Sequence, residues 1–217
     1  MRIPSSAHTG RPWRIHEIAA DFRVEDVWAL PTPGGPDDFE RFVRMGERIA
    51  GDDYDPTDGW AWPARALWDL RWRLGRLLGW DEPRHDLGAR VPSLRDRLPA
   101  DLRDGPPPPV PHGTPFRPVY LTGNEMCWEL SNKTVHCLSH YGWVPDGSGG
   151  YHAQMTALVK PNGWLGRAYM AWVRPLRYLI VYPQLMKQIA RRWQSTPPGP
   201  AAVRPGPAHP RPARPGP

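Results

Sequence analysis

The chain has 217 residues, of which 40% are apolar, enough for one domain with a sizeable core and too few for two ordinary ones. Thirty prolines and 21 glycines exceed ordinary usage, and the prolines are unevenly placed, with a run at 106–109 and a proline-rich stretch at 196–217, which read as connectors rather than the core. Without the three arginines of that tail, the formal net charge of +6 falls to about +3; this is too little to point to nucleic acid without a local patch, and RNA-module and zinc-finger spacings are absent.

The N-terminus, MRIPSSAHTGRPWR, lacks the apolar h-region of a secretory signal. The longest uncharged apolar run, residues 178–186, falls well short of the roughly 20 residues that cross a bilayer. No transmembrane segment and a soluble, cytoplasmic protein are expected. Residues 13–31 mix short apolar runs with β-formers and end at Pro31 and Pro33, which predicts one or two strands or an irregular lead-in. GGPDDFERFVRMGERIA, 34–50, reads as a helix: Pro36 suits the first turn, Asp37 and Asp38 complement the dipole, and Phe39, Phe42, Val43 and Ile49 recur at helical spacing. Asp52, Asp53, Asp55 and Asp58 have the composition of a calcium loop without its twelve-residue spacing or terminal Glu, so a solvated loop is expected.

From 60 to 80, Leu67, Leu70, Leu74, Leu77 and Leu78 form one stripe, with Arg65, Asp69, Arg73 and Arg76 on the other side. That pattern predicts an amphipathic helix packed on a core. A polar connector follows, with a short SLRDRL turn and the proline run.

After the connector the texture turns to β. FRPVYLT reads as a strand, Thr122 and Glu125 have the spacing of a capping box for a brief helix through Leu130, and 134–144 is a long β run. PDGSGG, 145–150, is a hairpin turn with glycines for the positive-φ positions, and 151–159 is the returning strand. GSGGY there is no phosphate loop, since no helix and no Lys-Ser/Thr follows; no nucleotide cofactor is expected. Cys127 and Cys137 have no framework spacing and fit a reducing compartment; the sequon Asn132-Lys133-Thr134 is then a chance match.

The last segment, 164–193, carries Leu165, Tyr169, Trp172, Leu176, Ile180, Ile189 and Trp193 on one broad apolar face, with Arg167, Arg174, Arg177, Lys187, Arg191 and Arg192 elsewhere. Straight, it would run on the order of 45 Å. Pro175 and Pro183 each remove an i→i−4 bond, so a kinked or two-piece helix is expected. The tail, 194–217, has three arginines, no acid and almost nothing apolar beyond Ala and one Val, which predicts a disordered appendage to a single domain over 1–193. Together these elements predict an α+β fold in which a curved antiparallel sheet wraps the long, Pro-kinked C-terminal helix, with a cavity for an apolar ligand between them.

The chemistry-bearing residues are densest in TVHCLSHYGWVPDGSGGYHAQM, 134–155. His136 and His140 would share a helix face, but on a strand they sit about 13 Å apart and cannot chelate one ion. Thr134, Val135, Leu138, Tyr141, Trp143 and Val144 are mostly β-formers, so the strand is preferred and no metal site is expected. Alternation puts Thr134, His136, Leu138 and His140 on one face, and Val135, Cys137, Ser139, Tyr141 and Trp143 on the other; neither is cleanly apolar, and the pattern does not say which is inside. His136 and Cys137 point opposite ways, which argues against a Cys–His dyad. His136, His140, Tyr120 and Tyr169 are the candidate acids and bases, and Trp128, Leu138, Gln154, Trp172 and Arg177 the candidate ligand-binding side chains. Trp60, Trp68, Trp72, Trp164 and Trp172 sit in helical apolar patterns and are expected in the core.

The stretch from TVHCLSH through KPNGWLGRAYM and PLRYLIVYP to RRW, together with SAHTGRPWRIHEI and EDVWALPTPGGPDDF near the N-terminus, resembles the DUF2867 family of bacterial proteins, particularly its actinobacterial single-domain members, over roughly residues 1–193. The resemblance implies a helix-grip fold of the SRPBCC (START-like) type with a deep cavity, used in that superfamily for lipid or polyketide binding, cyclisation and dehydration. Some members carry such a segment beside an NAD(P)-binding reductase domain; these 217 residues contain none, and no redox role is carried over. The resemblance transfers no catalytic residues. The expected function is therefore binding of a hydrophobic small molecule between sheet and C-terminal helix, with cofactor-free acid/base catalysis as its enzymatic form. The alternative is a non-enzymatic protein whose basic C-terminal helix and tail engage an acidic membrane surface or a protein partner.

Overall fold

The computed structural model describes residues 1–49, 57–77, 79, 87–89, 91–110 and 114–198. The expected disordered tail beyond 198, and Asp52, Asp53 and Asp55, lie outside them. Six strands, β1 (Arg2–Ile3), β2 (Arg23–Ala29), β3 (Arg117–Leu121), β4 (Glu125–Ser131), β5 (Val135–Pro145) and β6 (Tyr151–Pro161), form one curved antiparallel sheet in the order β1-β2-β6-β5-β4-β3. The β5–β6 turn forms where expected, with Gly147 and Gly149 at φ +83° and +96°, values that favour glycine. Around the sheet lie α1 (Ser6–Thr9), α2 (Ile15–Ile18), α3 (Phe39–Ile49), α4 (Trp62–Leu77), a 3-10 turn (Leu94–Arg97), α5 (Ala100–Arg103), α6 (Gly163–Leu176) and α7 (Tyr182–Ser195).

Residues 125–130 are not a helix. Thr122 Oγ1 does accept the Glu125 N–H at 3.1 Å, but this bond closes the β3–β4 connection instead of capping a helix. Seven residues that pair with β5 from end to end gain a full ladder, which outweighs a local capping pattern.

Both faces of the sheet are covered, and the alternation of β5 decides what meets what. Leu138, with Tyr120, Cys127, Val144 and Leu158, packs under Trp13, Ile15, Ile18, Phe22, Leu94, Leu98 and Leu102. This N-terminal layer also covers His136 and His140, which touch Phe22 and Trp13. Tyr141 and Trp143, with Trp28, Met126, Trp128 and Met155, pack instead on Phe39, Phe42 and Met45 of α3 and Tyr182, Ile189 and Trp193 of α7. Cys137 and Val135 meet Met170, Tyr169 and Val173 of α6. The sheet is a wall between two cores, and the histidine face, left open by the alternation, lies on the side away from the C-terminal helix, so His136 and His140 line no cavity beneath that helix.

A register shift between Val24 and Asp26 in β2 gives that strand one extra residue. Val24 still packs with the N-terminal layer, while Glu25 and Asp26 both turn toward the C-terminal helix, Glu25 bonding Arg174 and Asp26 bonding Arg177. Bulges re-aim side chains in this way.

The C-terminal segment is one helical rod with a defect. Pro175 cannot donate to the carbonyl four residues back, the rod widens into a π turn over Arg177–Val181, and Pro183, at the junction with α7, supplies no N–H either. At Gly166 an added Cβ would overlap the Thr134 carbonyl oxygen, so the absence of a side chain sets how closely α6 docks.

Two expectations about packing fail. In α4, Ala64 is buried but Leu70 and Leu77 of the leucine stripe are exposed, as is Trp62. In α6, Trp164 and Trp172 are exposed rather than core. Trp172 therefore lines no cavity under the helix.

Candidate functional site

Antiparallel pairing of β4 and β5 builds the same arrangement twice. Glu125 sits opposite Gly142 and Glu129 opposite Leu138, while His140 sits opposite Cys127 and His136 opposite Ser131. Each carboxylate is thus diagonal to a histidine on the same face, within reach across the strands. His140 Nε2 lies 2.8 Å from Glu125 Oε2, and His136 Nε2 3.1 Å from Glu129 Oε2. All four side chains are buried.

The two dyads differ in what surrounds them. Glu129 accepts bonds from the Ser93 hydroxyl and from Leu94 N–H at 3.0 Å. It ties the Leu94–Arg97 turn to the sheet, and its role is structural. Glu125 accepts the Arg14 N–H at 2.9 Å and the Tyr120 hydroxyl at 3.0 Å. Burial works to raise its carboxyl, but the bond to His140 and these donors outweigh it and leave it below the usual range. The ionised Glu125 therefore accepts the hydrogen bond of His140 Nε2–H, which fixes the tautomer and leaves Nδ1 as a bare lone pair. That Nδ1 is buried with no hydrogen-bond partner.

Around it stand groups contributed by the N-terminal layer. His8 of α1 lies 5.1 Å, ring to ring, from His140 and 4.9 Å from His16 of α2, and Trp13 lies 5.3 Å from His140. Trp13 packs onto Gly142, where a Cβ would meet its ring at 2.5 Å. Thr156, the cross-strand partner of His140, meets His8 Nδ1 at 3.2 Å. His8 Nε2, His16 Nε2, Trp13 Nε1 and, nearby on β6, Gln154 Nε2 are all buried without a partner. Buried polar atoms are nearly always bonded, so this concentration of unsatisfied nitrogens is unusual. Burial pushes His8 down to about 3, helped by the charges of His140 and His16. Burial also lowers His140, against the pull of Glu125, and pushes the Tyr120 hydroxyl well up. At neutral pH His8 and His140 are neutral imidazoles beside the Glu125 carboxylate.

Tyr120, His136, Leu138, His140 and Gln154 thus share the N-terminal face. Trp128, Tyr169 and Arg177 lie on the other side of the sheet, Trp128 against Tyr141 and Phe116, Tyr169 beside Cys137, and Arg177 on Asp26 and Tyr182. Trp172 points outward. Burial raises both thiols, Cys137 to about 11 and Cys127 well above its ordinary value, so neither is a nucleophile at neutral pH. Among the described residues no group of three or more His, Cys, Asp or Glu is placed to hold a metal ion. Sequence reasoning missed Glu125, Glu129, His8 and His16. The first two were legible as an E-x-x-x-E and H-x-x-x-H pair flanking the short 132–134 turn; nothing local marks His8.

A cleft of about 340 Å³ opens at the β1–β2 edge, lined by Arg2, Ile3, Pro4, Ser5, Asp26 and Val27. Ser5 of this lining precedes α1 and Val27 pairs with Thr156, but no side chain of the histidine cluster lines the cleft. A family model described as "Protein of unknown function (DUF2867)" matches residues 18–184. No curated protein and no solved structure matches the chain.

Proposed function

We propose that this chain, which belongs to the DUF2867 family, binds a small molecule with an apolar body and a polar oxygen against the histidine face of its sheet and moves a proton on it, with His140 as base. The observation that carries this reading is the bare, buried Nδ1 of His140, whose opposite nitrogen is held by Glu125. A neutral imidazole oriented by a carboxylate is a general base that works near neutral pH. Trp13, Ile15, Ile18 and Leu138 supply the apolar surroundings. The unsatisfied nitrogens of His8, His16, Trp13 and Gln154 supply donors and acceptors for a carbonyl or hydroxyl oxygen.

The cleft at the β1–β2 edge is the entrance in this reading; its volume, about 340 Å³, is at the small end for ligand sites. The sheet with its long C-terminal helix supports the finer assignment to the helix-grip, SRPBCC-like type, and cyclisation or dehydration is the chemistry that a base of this kind serves. The ligand, however, sits on the face away from the long helix. In this reading His140, Leu138 and Gln154 keep the roles expected of them, while His136, paired with Glu129, belongs to the structural anchor of the Leu94–Arg97 turn. Two free cysteines fit a reducing, cytoplasmic setting.

A nitrobenzisoxazole probe tests the base directly. Abstraction of its ring C–H proton by Nδ1 breaks the N–O bond and releases a coloured cyanophenolate, with no other reactant. The full chain should open the ring faster than free imidazole at equal concentration, with a pH midpoint below 6.5, and His140→Ala should remove the excess. A rate no better than imidazole, or an excess that survives His140→Ala, would overturn the proposal.

A further inference from the structure

Among the described residues, the exposed large apolar side chains other than Met1 all lie on α4 and the C-terminal rod: Trp62 (79%), Leu70 (45%), Leu77 (81%), Trp164 (74%), Trp172 (58%) and Leu179 (76%). Their spacing is helical. Along the rod, Trp164, Ala168, Trp172, Pro175 and Leu179 are exposed at steps of three or four; along α4, Trp62, Ala66, Leu70 and Leu77 lie on one such line, with Arg73 set between the two leucines. Each helix thus carries an apolar stripe on its outside as well as a face turned to the protein.

The two helices are neighbours. Gln188 and Arg191 of α7 both donate to the Asp58 carbonyl just before α4, and α4 lies against the Arg177–Val181 turn. Their charge is one-sided. Together α4 and residues 163–195 hold ten of the chain's 28 basic residues and, in Asp69, a single one of its 22 acidic residues. Exposed arginines, among them Arg65, Arg73, Arg76 and Arg167, flank the tryptophans and leucines. A second copy of the chain meeting this surface about a two-fold axis would bring arginines against arginines. An anionic lipid surface, by contrast, complements both features: indoles enter the headgroup region and guanidiniums pair with phosphates. No described helix is long and apolar enough to cross a membrane, so the contact is peripheral.

We infer that α4 and the C-terminal helical rod form a docking face for an anionic membrane surface. The test uses the full chain with sedimenting vesicles of phosphatidylcholine alone or mixed with phosphatidylglycerol. The protein should pellet with the anionic vesicles at low salt, stay in solution with neutral ones, and be released as salt screens the arginines. The exposed double substitution Trp164→Ser/Trp172→Ser should weaken the partition about tenfold or more with an unchanged circular dichroism spectrum, and Arg73→Gln/Arg76→Gln should weaken only the anionic arm. Failure to pellet with anionic vesicles at low salt would overturn the inference. So would equal pelleting by the tryptophan variant, or a dimer in light scattering that the tryptophan substitutions dissociate, which would give the face to a second copy.

Discussion

Acidification to pH 5 should strip a defined amount of stability from this protein, and His8 should account for much of it. Folding holds His8 at a pKa of about 3, against 6.5 in the unfolded chain, because its ring is fully buried between His16, His140 and Thr156. Between those two values the unfolded state binds the proton and the native state does not, so stability falls as pH falls. At pH 7.5 both states are neutral and the contribution is close to zero. At pH 5 the unfolded His8 is almost fully protonated and the native one almost fully neutral, a difference of about 2 kcal/mol. His140, also held low by burial, adds to the loss in the same direction. Glu125, held below its ordinary value of 4.5, contributes stability that is lost only at lower pH, outside this interval. Urea unfolding followed by tryptophan fluorescence at both pH values gives the measurement. His8→Asn removes the titrating group while keeping an acceptor for Thr156, and should lose about 2 kcal/mol less than the parent between pH 7.5 and 5, whatever its own starting stability. Identical pH dependence in the two proteins would refute the idea that folding keeps His8 neutral.

Glu129→Ala leaves the His136 ring, the Ser93 hydroxyl and the Leu94 N–H facing a buried void, and should cost about 2–4 kcal/mol; hydrogen exchange should show amides 94–103 opening first, and uniform loss of protection would count against a local anchor. Gly166→Ala replaces a poor helix former with the best one, yet the new Cβ overlaps backbone of residues 134 and 161 that cannot step aside. A lower melting temperature, by an amount equivalent to about 1–3 kcal/mol, is expected, and a raised one would show that α6 does not dock so closely.

The elements legible in the sequence were those whose local signals agreed with their surroundings. The helix read at 34–50, which forms over 39–49, the 145–150 turn and the interrupted C-terminal helix carried charges, glycines and prolines whose effect is local. The 125–131 strand was lost because a capping pattern at Thr122 and Glu125 is a short-range signal, whereas the ladder to β5 is set by residues further along. The face of His136 and His140 resisted reading for a different reason: a sheet buried on both sides has no polar side, so its alternation shows which residues share a face but not what covers it. The covering segment, 4–22, is assembled from short turns with no strong periodicity of their own. The exposed tryptophans were misjudged because an apolar stripe on a helix reads the same whether protein or something else lies against it.

The extra residue of β2 makes the strand unusually tolerant in one respect. Because Val24 and Asp26 already face their proper sides with Glu25 between them, excising Glu25 would restore an ordinary ladder without inverting the rest of the strand. Only the counter-charge of Arg174 and Arg23 would be missing. A deletion that elsewhere in a two-sided sheet would exchange one core for the other would here be a local event, and position 25 is where this wall can change length by one residue and keep both its faces.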